Sequence, residues 1–131
     1  MGYYSRLTGS IKINPPLTAA ELREHSWLTK PEPLTVFVSV VKKRVDTDTG
    51  YTVTLAGSEI VPTTEDEFKV NNLQTELEGI AAIPGHSFDG YIYAYGEEQG
   101  DIWRITIRDG QVVEEKPKVV WPDGTEHEVG R

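Results

Sequence analysis

The chain has 131 residues, of which 37% are hydrophobic and 26% charged, and this balance is typical of one folded domain. It contains no cysteine, so disulfides, thiolate metal sites and cysteine nucleophiles are excluded. The formal charge is −8, from 21 acidic and 13 basic residues. An excess of acidic residues argues against a nucleic-acid-binding module, which needs a net basic face.

The sequence carries no recognisable targeting segment. No continuous apolar run opens the chain, and Pro15-Pro16 falls within its first twenty residues, so we expect no signal peptide. No segment approaches the ~20 apolar residues that a membrane-spanning helix needs. We therefore expect a cytoplasmic protein without a membrane partner.

The first predicted elements are a strand and a short helix. Apolar and polar side chains alternate over residues 3–13 with the period of a half-buried strand, and Asn14-Pro15-Pro16 is expected to end it. Thr18 and Glu21 form a capping box, which predicts a helix from there to about Ser26.

A predicted hairpin follows. Residues 34–46 are apolar on both faces in the middle, which favours a central strand of a sheet. Residues 51–61 alternate as a second strand, and the turn residues at 46–50 join the two.

The main helix is predicted to start at a second capping box, Thr64 with Glu67, and to stop at Pro84-Gly85. Its apolar stripe consists of Phe68, Leu73, Leu77, Ile80 and Ala81.

The last third predicts a β meander. Strands are expected at 88–95, 101–108 and 112–121, and Asp109-Gly110 is a strong signal for a two-residue hairpin turn. Pro117 interrupts the final strand, which places it at an edge of the sheet. Residues 125–131 are expected to form a polar tail.

The resulting fold class is α+β, with a mostly antiparallel sheet in a single domain over residues 1–124. The predicted order is β-α-β-β-α-β-β-β, whose first six elements match a ferredoxin-like split βαβ core, extended here by a C-terminal hairpin. A single larger twisted sheet with both helices on one face fits this order equally well.

No catalytic, metal-binding or cofactor-binding motif is present. His25, His86 and His127 are not spaced as metal ligands, and an isolated histidine is more often a surface or capping group than a catalytic one. Phosphate-binding glycine loops and the hydrolase nucleophile elbow are absent as well. We therefore assign no catalytic residue, no metal and no cofactor.

Glu97, Glu98 and Asp101 form an acidic loop beside Trp103 and Arg104. Closely spaced carboxylates can hold a hard cation or act as an acid/base pair. The same residues are also what a solvated hairpin turn contains, and we prefer that interpretation because metal loops usually supply more ligands.

Tyr91, Tyr93 and Tyr95 share one face of a strand, with Trp103 on the neighbouring strand. Such an aromatic row is typical of a recognition surface, since Tyr and Trp are frequent in binding hot spots. It is equally compatible with a sheet face covered by helices. The sequence leaves these two interpretations open.

Four segments resemble a family of small uncharacterised proteins from actinobacteria and their phages. They are MGYY at residues 1–4, IKINPPL at 11–17, the stretch from GEE to GDIWR at 96–104, and VWPDG at 120–124. The resemblance implies no activity. It implies that residues 96–104 are a family hallmark, either as a tight corner or as a site, and it is consistent with a phage or mobile-element origin.

The leading hypothesis is a non-enzymatic module that binds a host or phage protein through the tyrosine face and the acidic loop, without direct nucleic-acid binding. One alternative is a small hydrolase or metal-dependent enzyme that combines the loop at 97–101 with His86. Another is an acidic inhibitor that mimics nucleic acid. Exposed edge strands would also permit a homodimer.

Overall fold

The computed structural model describes residues 4–29, 35–63, 68–69, 73–96 and 101–127. These residues form a mostly antiparallel sheet with two α-helices, and this part of the predicted fold class is confirmed. None of the described helices is long and apolar enough to cross a membrane. The elements are β1 (Tyr4–Leu17), α1 (Ala19–Glu24), a 3-10 turn (Ser26–Thr29), β2 (Val36–Thr47), β3 (Gly50–Pro62), β4 (Phe68–Lys69), α2 (Leu73–Ala81), β5 (Ser87–Gly96), β6 (Ile102–Arg108), β7 (Gln111–Glu115), β8 (Val119–Val120) and β9 (Glu126–His127).

The main sheet has the strand order β2-β3-β1-β5-β6-β7, and every neighbouring pair is antiparallel. The short strand β4 pairs with the start of β1. β8 and β9 form a separate two-stranded sheet. β1 therefore lies in the middle of the main sheet, and β5 to β7 form one side of it.

The core lies on one face of the main sheet, beneath both helices. Leu22 of α1 and Leu77 of α2 belong to the same buried cluster as Ile11 of β1, Ile92 of β5 and Ile105 of β6. Because side chains alternate along a strand, the residues between these buried positions point to the opposite face.

β1 does not end at the prolines, so that prediction is wrong. The strand continues to Leu17, which pairs with Gly57 of β3, and the Asn14–Pro15 peptide bond is cis. The register between β1 and β3 shifts between Lys12 and Leu17. Proline is tolerated at such an irregularity because no regular ladder hydrogen bond is required there.

The main helix is shorter than predicted. α2 begins at Leu73, and Phe68 lies in β4 opposite Ser5 of β1 rather than in a helix. The predicted capping residues Thr64 and Glu67 lie outside the described residues. A capping box is a local signal, whereas Phe68 and Lys69 take the strand conformation that pairing with the first residues of β1 requires.

The position of β2 also differs from the prediction. β2 is at the end of the sheet order, so it is an edge strand and not a central one. Val36 and Val38 are buried, but every residue of β2 from Val40 to Thr47 is exposed. Apolar residues occur on both faces of this strand, but over residues 40–47 neither face is buried.

The last predicted strand divides into two. β7 ends at Glu115, and β8 starts beyond Pro117 in the small sheet with β9. β7 is an edge strand of the main sheet, as predicted. The Trp121 amide donates to the Thr125 carbonyl oxygen (2.7 Å), so the residues just after position 124 belong to this hairpin.

Candidate functional site

The three tyrosines of β5 lie on the sheet face opposite the core. Ile92 and Ala94, which alternate with them, are fully buried, whereas Tyr95 is 36% exposed and Tyr91 and Tyr93 are half-buried. None of the three belongs to the buried core cluster. Among the described residues, no helix covers this face, and the tyrosines lie on an open surface of the sheet.

The strand register identifies the neighbours of these tyrosines on β6. Ile102 pairs with Tyr95 and Arg104 pairs with Tyr93, so both share the tyrosine face. Trp103 pairs with Ala94 and packs against the core. The expectation that Trp103 extends the tyrosine row is therefore wrong, because consecutive residues of a strand point to opposite faces.

Arg104 is held between an aromatic ring and a carboxylate. Its guanidinium carbon lies 3.8 Å from the centroid of the Tyr91 ring, which is a cation–π contact. Its Nε donates to Oε1 of Glu115 on β7 (2.7 Å). Arg108 donates from Nη2 to the Tyr91 hydroxyl (3.2 Å) and lies 3.5 Å from Oε2 of Glu115. These four residues connect three strands.

The ion pair keeps both of its members charged. The hydrogen bond to Glu115 raises the pKa of Arg104 above its ordinary value, and the hydrogen bond from Arg104 lowers the pKa of Glu115. On β1, the guanidinium of Arg6 lies 5.5 Å from the centroid of the Tyr95 ring. We call the surface formed by the following residues the Tyr–Arg face: Tyr91, Tyr93, Tyr95, Arg6, Ile102, Arg104, Arg108 and Glu115.

A cavity of about 670 Å³ opens at one margin of the Tyr–Arg face. Its wall includes Tyr93 and Ile102 of the face, together with Trp103. Two lysines of the segment after β7, Lys116 and Lys118, also line it. The side chain of Ile102 is 41% exposed there. The cavity therefore combines an apolar wall with a positively charged margin.

The acidic loop is only partly described. Glu97 and Glu98 lie outside the described residues, whereas the Asp101 carbonyl oxygen accepts a hydrogen bond from the Gly96 amide (2.8 Å). This bond closes the connection from β5 to β6. Among the described residues, no three His, Asp or Glu side chains are arranged to hold a metal ion.

His86 lies in a separate cluster with residues of β1 and α1. Its side chain is 4% exposed, its Nδ1 lies 2.6 Å from the Pro15 carbonyl oxygen, and its Nε2 lies 2.9 Å from Oε1 of Glu21. A carbonyl oxygen only accepts, and Oε1 already accepts from the Thr18 amide. Each ring nitrogen of His86 therefore lies against an oxygen acceptor, one on β1 and one on α1.

The carboxylate of this cluster is also the capping residue of α1. The hydrogen bond from the Thr18 backbone is the main cause that lowers the pKa of Glu21, and the contact with His86 lowers it further. His86 thus ties the start of α1 to the end of β1. Its role in the described structure is to hold these two elements together.

His86 and Asp101 of the acidic loop lie far apart. His86 precedes β5 and Asp101 follows it, and the ten residues of β5 span about 30 Å at 3.3 Å per residue. This distance is far beyond direct or single-water hydrogen-bond reach. The enzyme alternative required His86 and Asp101 in one pocket, and these two residues do not share one.

Sequence reasoning missed several members of the Tyr–Arg face. Alternation alone places Arg108 on the same side as Arg104. The two-residue turn at Asp109-Gly110 pairs Arg108 with Gln111, and this register brings Glu115 opposite Arg104. The signal for Glu115 was therefore present in the hairpin turn. Arg6 could not be found in this way because the pairing of β1 with β5 is long-range.

Residues 1–130 match the model of DUF6205, a protein family of unknown function. No curated protein and no solved structure matches the chain.

Proposed function

The chain belongs to the DUF6205 family, whose function is unknown, and we propose that it is a non-enzymatic protein-interaction module that binds its partner through the Tyr–Arg face. The observation that carries this proposal is the position of Tyr93 and Arg104 on a sheet face that the described helices leave open. Tyrosine and arginine are the residue types most enriched in binding hot spots, together with tryptophan.

The contacts within the face favour tight recognition. Arg104 is already fixed by the ring of Tyr91 and by Glu115, and its side chain is still 40% exposed. Immobilising a free arginine on binding costs about 0.5–1.5 kcal/mol, and this cost is reduced when the side chain is already positioned. The face therefore presents aromatic and guanidinium groups in a nearly fixed arrangement.

The charge of the face indicates the chemistry of the partner. Arg6, Arg104 and Arg108 outnumber Glu115 on the face, although the whole chain carries a formal charge of −8. A positive surface on an acidic protein favours an acidic partner segment and disfavours other acidic surfaces. We propose an extended acidic segment of a host or phage protein, with one apolar side chain in the cavity beside Ile102.

Site-specific photocrosslinking tests this proposal. A photoreactive phenylalanine analogue is placed at Tyr95 on the face or, as a matched control, at Tyr51 on β3, where the tyrosine is 58% exposed. We expect position 95 to capture one acidic protein in cells that encode the chain, and position 51 not to capture it. The captured protein, once purified, should bind the wild-type chain and lose binding to Tyr93→Ala.

Two outcomes contradict the proposal. One is capture of the same protein with equal yield from both positions. The other is undiminished binding of the purified partner to Tyr93→Ala and to Arg104→Ala. Either result would show that the Tyr–Arg face is not the surface that the partner contacts.

We further propose a ferredoxin-like description of the core and a phage-related, cytoplasmic setting. The order β2-β3-β1-β5, with one helix between β1 and β2 and another between β3 and β5, supports the first. The four segments that resemble actinobacterial and phage proteins support the second. Gene neighbourhoods of family members that lie outside phage or mobile elements would contradict that setting.

A further inference from the structure

Exposed apolar side chains are concentrated on the far part of the β2–β3 hairpin. β3 pairs with β1 only from Gly57 onward, so the preceding residues extend past β1 as a two-stranded ribbon. We call residues 40–47 and 50–55 the β2–β3 arm. Six of the eleven exposed large hydrophobic residues of the described chain lie on it: Val40, Val41, Val45, Tyr51, Val53 and Leu55.

The described part of the chain leaves most of the arm exposed. A two-stranded hairpin on its own is marginally stable in water, and stability requires further strands or a packed face. Among the described residues, β2 pairs with β3 alone, so its outer edge presents unpaired backbone N–H and C=O groups. The register shift of this hairpin lies between Ser39 and Val40, and beyond it the strand is regular to Thr47. A regular, partly apolar edge of this kind is a template for another strand.

The charges along β2 select among the ways in which two copies could pair. In an antiparallel pair, residues directly opposite each other interact, and like charges there are destabilising. A two-fold axis at Lys42, Lys43 or Arg44 places cations of the two copies opposite one another. An axis at Asp46 places two aspartates opposite one another, and an axis at Val41 gives the cations no charged partner.

An axis at Val45 gives a different result. Arg44 of each copy then faces Asp46 of the other, and Lys43 faces Thr47. Val45, which is 40% exposed, faces its own equivalent across the axis. Within one chain, Arg44 Nε already lies 3.0 Å from Oδ1 of Asp46, and the guanidinium lies over the ring of Tyr51. Both side chains of this ion pair remain more than two-thirds exposed, so Asp46 of a second copy can reach the guanidinium.

We propose that the chain forms a two-fold homodimer in which the β2 strands of two copies pair antiparallel around Val45. The two arms together form a four-stranded ribbon, β3-β2-β2-β3, in which residues 43–47 of each β2 edge are paired. The interface is isologous and closed, so it gives a dimer and not a filament. β2 and the strands β5 to β7 lie on opposite sides of the sheet order, so the Tyr–Arg face stays available. This inference is independent of the proposed function.

The absence of cysteine permits a direct test by crosslinking. Directly opposite residues of an antiparallel pair have Cβ atoms about 4.5–5.5 Å apart, near the spacing that a disulfide requires. Val45→Cys should therefore form a disulfide-linked dimer rapidly under mild oxidation. The control Val53→Cys places an exposed thiol on β3, where the two copies would be about 14 Å apart across three strand spacings. Val53→Cys should stay uncrosslinked.

A charge exchange tests the register. Arg44→Asp and Asp46→Arg each turn two attractive pairs of the dimer into two repulsive pairs, and each should weaken dimerisation about thirtyfold in sedimentation equilibrium. The double variant Arg44→Asp/Asp46→Arg restores opposite charges and should recover dimerisation to within about threefold of wild type. Both side chains are more than two-thirds exposed, so the variants should fold, and circular dichroism checks this.

Three outcomes overturn the proposal. The first is a wild-type chain that sediments as a monomer at every concentration tested. A monomer whose β2 edge pairs with a strand of an unrelated protein would count as the same outcome. The second is equal crosslinking of Val45→Cys and Val53→Cys. The third is a double charge variant that dimerises as weakly as the single variants.

Discussion

The two ends of β5 carry charged clusters with opposite relations to solvent. His86 directly precedes β5; its side chain is 4% exposed, and both ring nitrogens contact oxygen atoms of the same chain. Along its second half, the tyrosines and Arg104 have ring and ion-pair contacts but still face outward, with Arg104 40% exposed. His86 and Arg104 both make polar contacts within the chain, but only Arg104 remains accessible to a partner. A polar residue is therefore a candidate for binding only when its intramolecular contacts leave it exposed to solvent.

Removal of His86 should have the largest effect on stability. His86→Ala leaves the Glu21 carboxylate and the Pro15 carbonyl oxygen without their buried donor, and we expect the free energy of unfolding to fall by about 2–3 kcal/mol. Urea denaturation measures this loss. His127→Ala, at an exposed position, should change stability by less than about 0.5 kcal/mol. Equal losses for the two variants would contradict a structural role for His86.

The close approach of β1 and β5 beneath the Tyr–Arg face should be nearly as sensitive. Gly90 has a φ of 122°, and a Cβ there would lie 2.5 Å from the Ser10 carbonyl oxygen. We expect Gly90→Ala to lower the free energy of unfolding by about 2 kcal/mol. Gly110 also has a positive φ, but a Cβ there would meet nothing within 4 Å, so Gly110→Ala should cost about half as much. A larger loss at Gly110 would show that strand contact is not the cause.

The dependence of stability on pH should report the contact between His86 and Glu21. The pKa of Glu21 is lowered in the folded chain from its ordinary value of 4.5. The stability that its charge contributes is therefore present above that value and is lost as pH falls through the lower, folded pKa. The difference between wild type and Glu21→Gln, about 1 kcal/mol at neutral pH, should shrink in acid. A difference that grows as pH falls would contradict the assignment.

Local signals in the sequence identified the tyrosines and Arg104 of the candidate site, and they also carried the information for Glu115. Alternation separates Tyr93 from the core positions of β5, and the Asp109-Gly110 turn sets the register that brings Glu115 to Arg104. The openness of that face could not be predicted, because it depends on which side of the sheet the helices pack.

The remaining errors in the prediction of the fold have the same physical origin. The sequence does not show that Phe68 pairs with the first residues of β1, because that contact is more than sixty residues away along the chain. Burial on both faces was inferred for β2 from its valines, although Val40, Val41 and Val45 are exposed on the β2–β3 arm. In both cases a long-range contact, or its absence, determines the outcome.

The most direct test of the central claim is a comparison of two tyrosine truncations in partner binding. Isothermal titration of the photocaptured partner would measure dissociation constants for wild type, Tyr93→Ala and Tyr51→Ala. If the Tyr–Arg face is the recognition surface, Tyr93→Ala weakens binding about thirtyfold, the 2 kcal/mol of a hot-spot residue, and Tyr51→Ala changes it by less than about twofold. Equal dissociation constants for the two variants would contradict the claim.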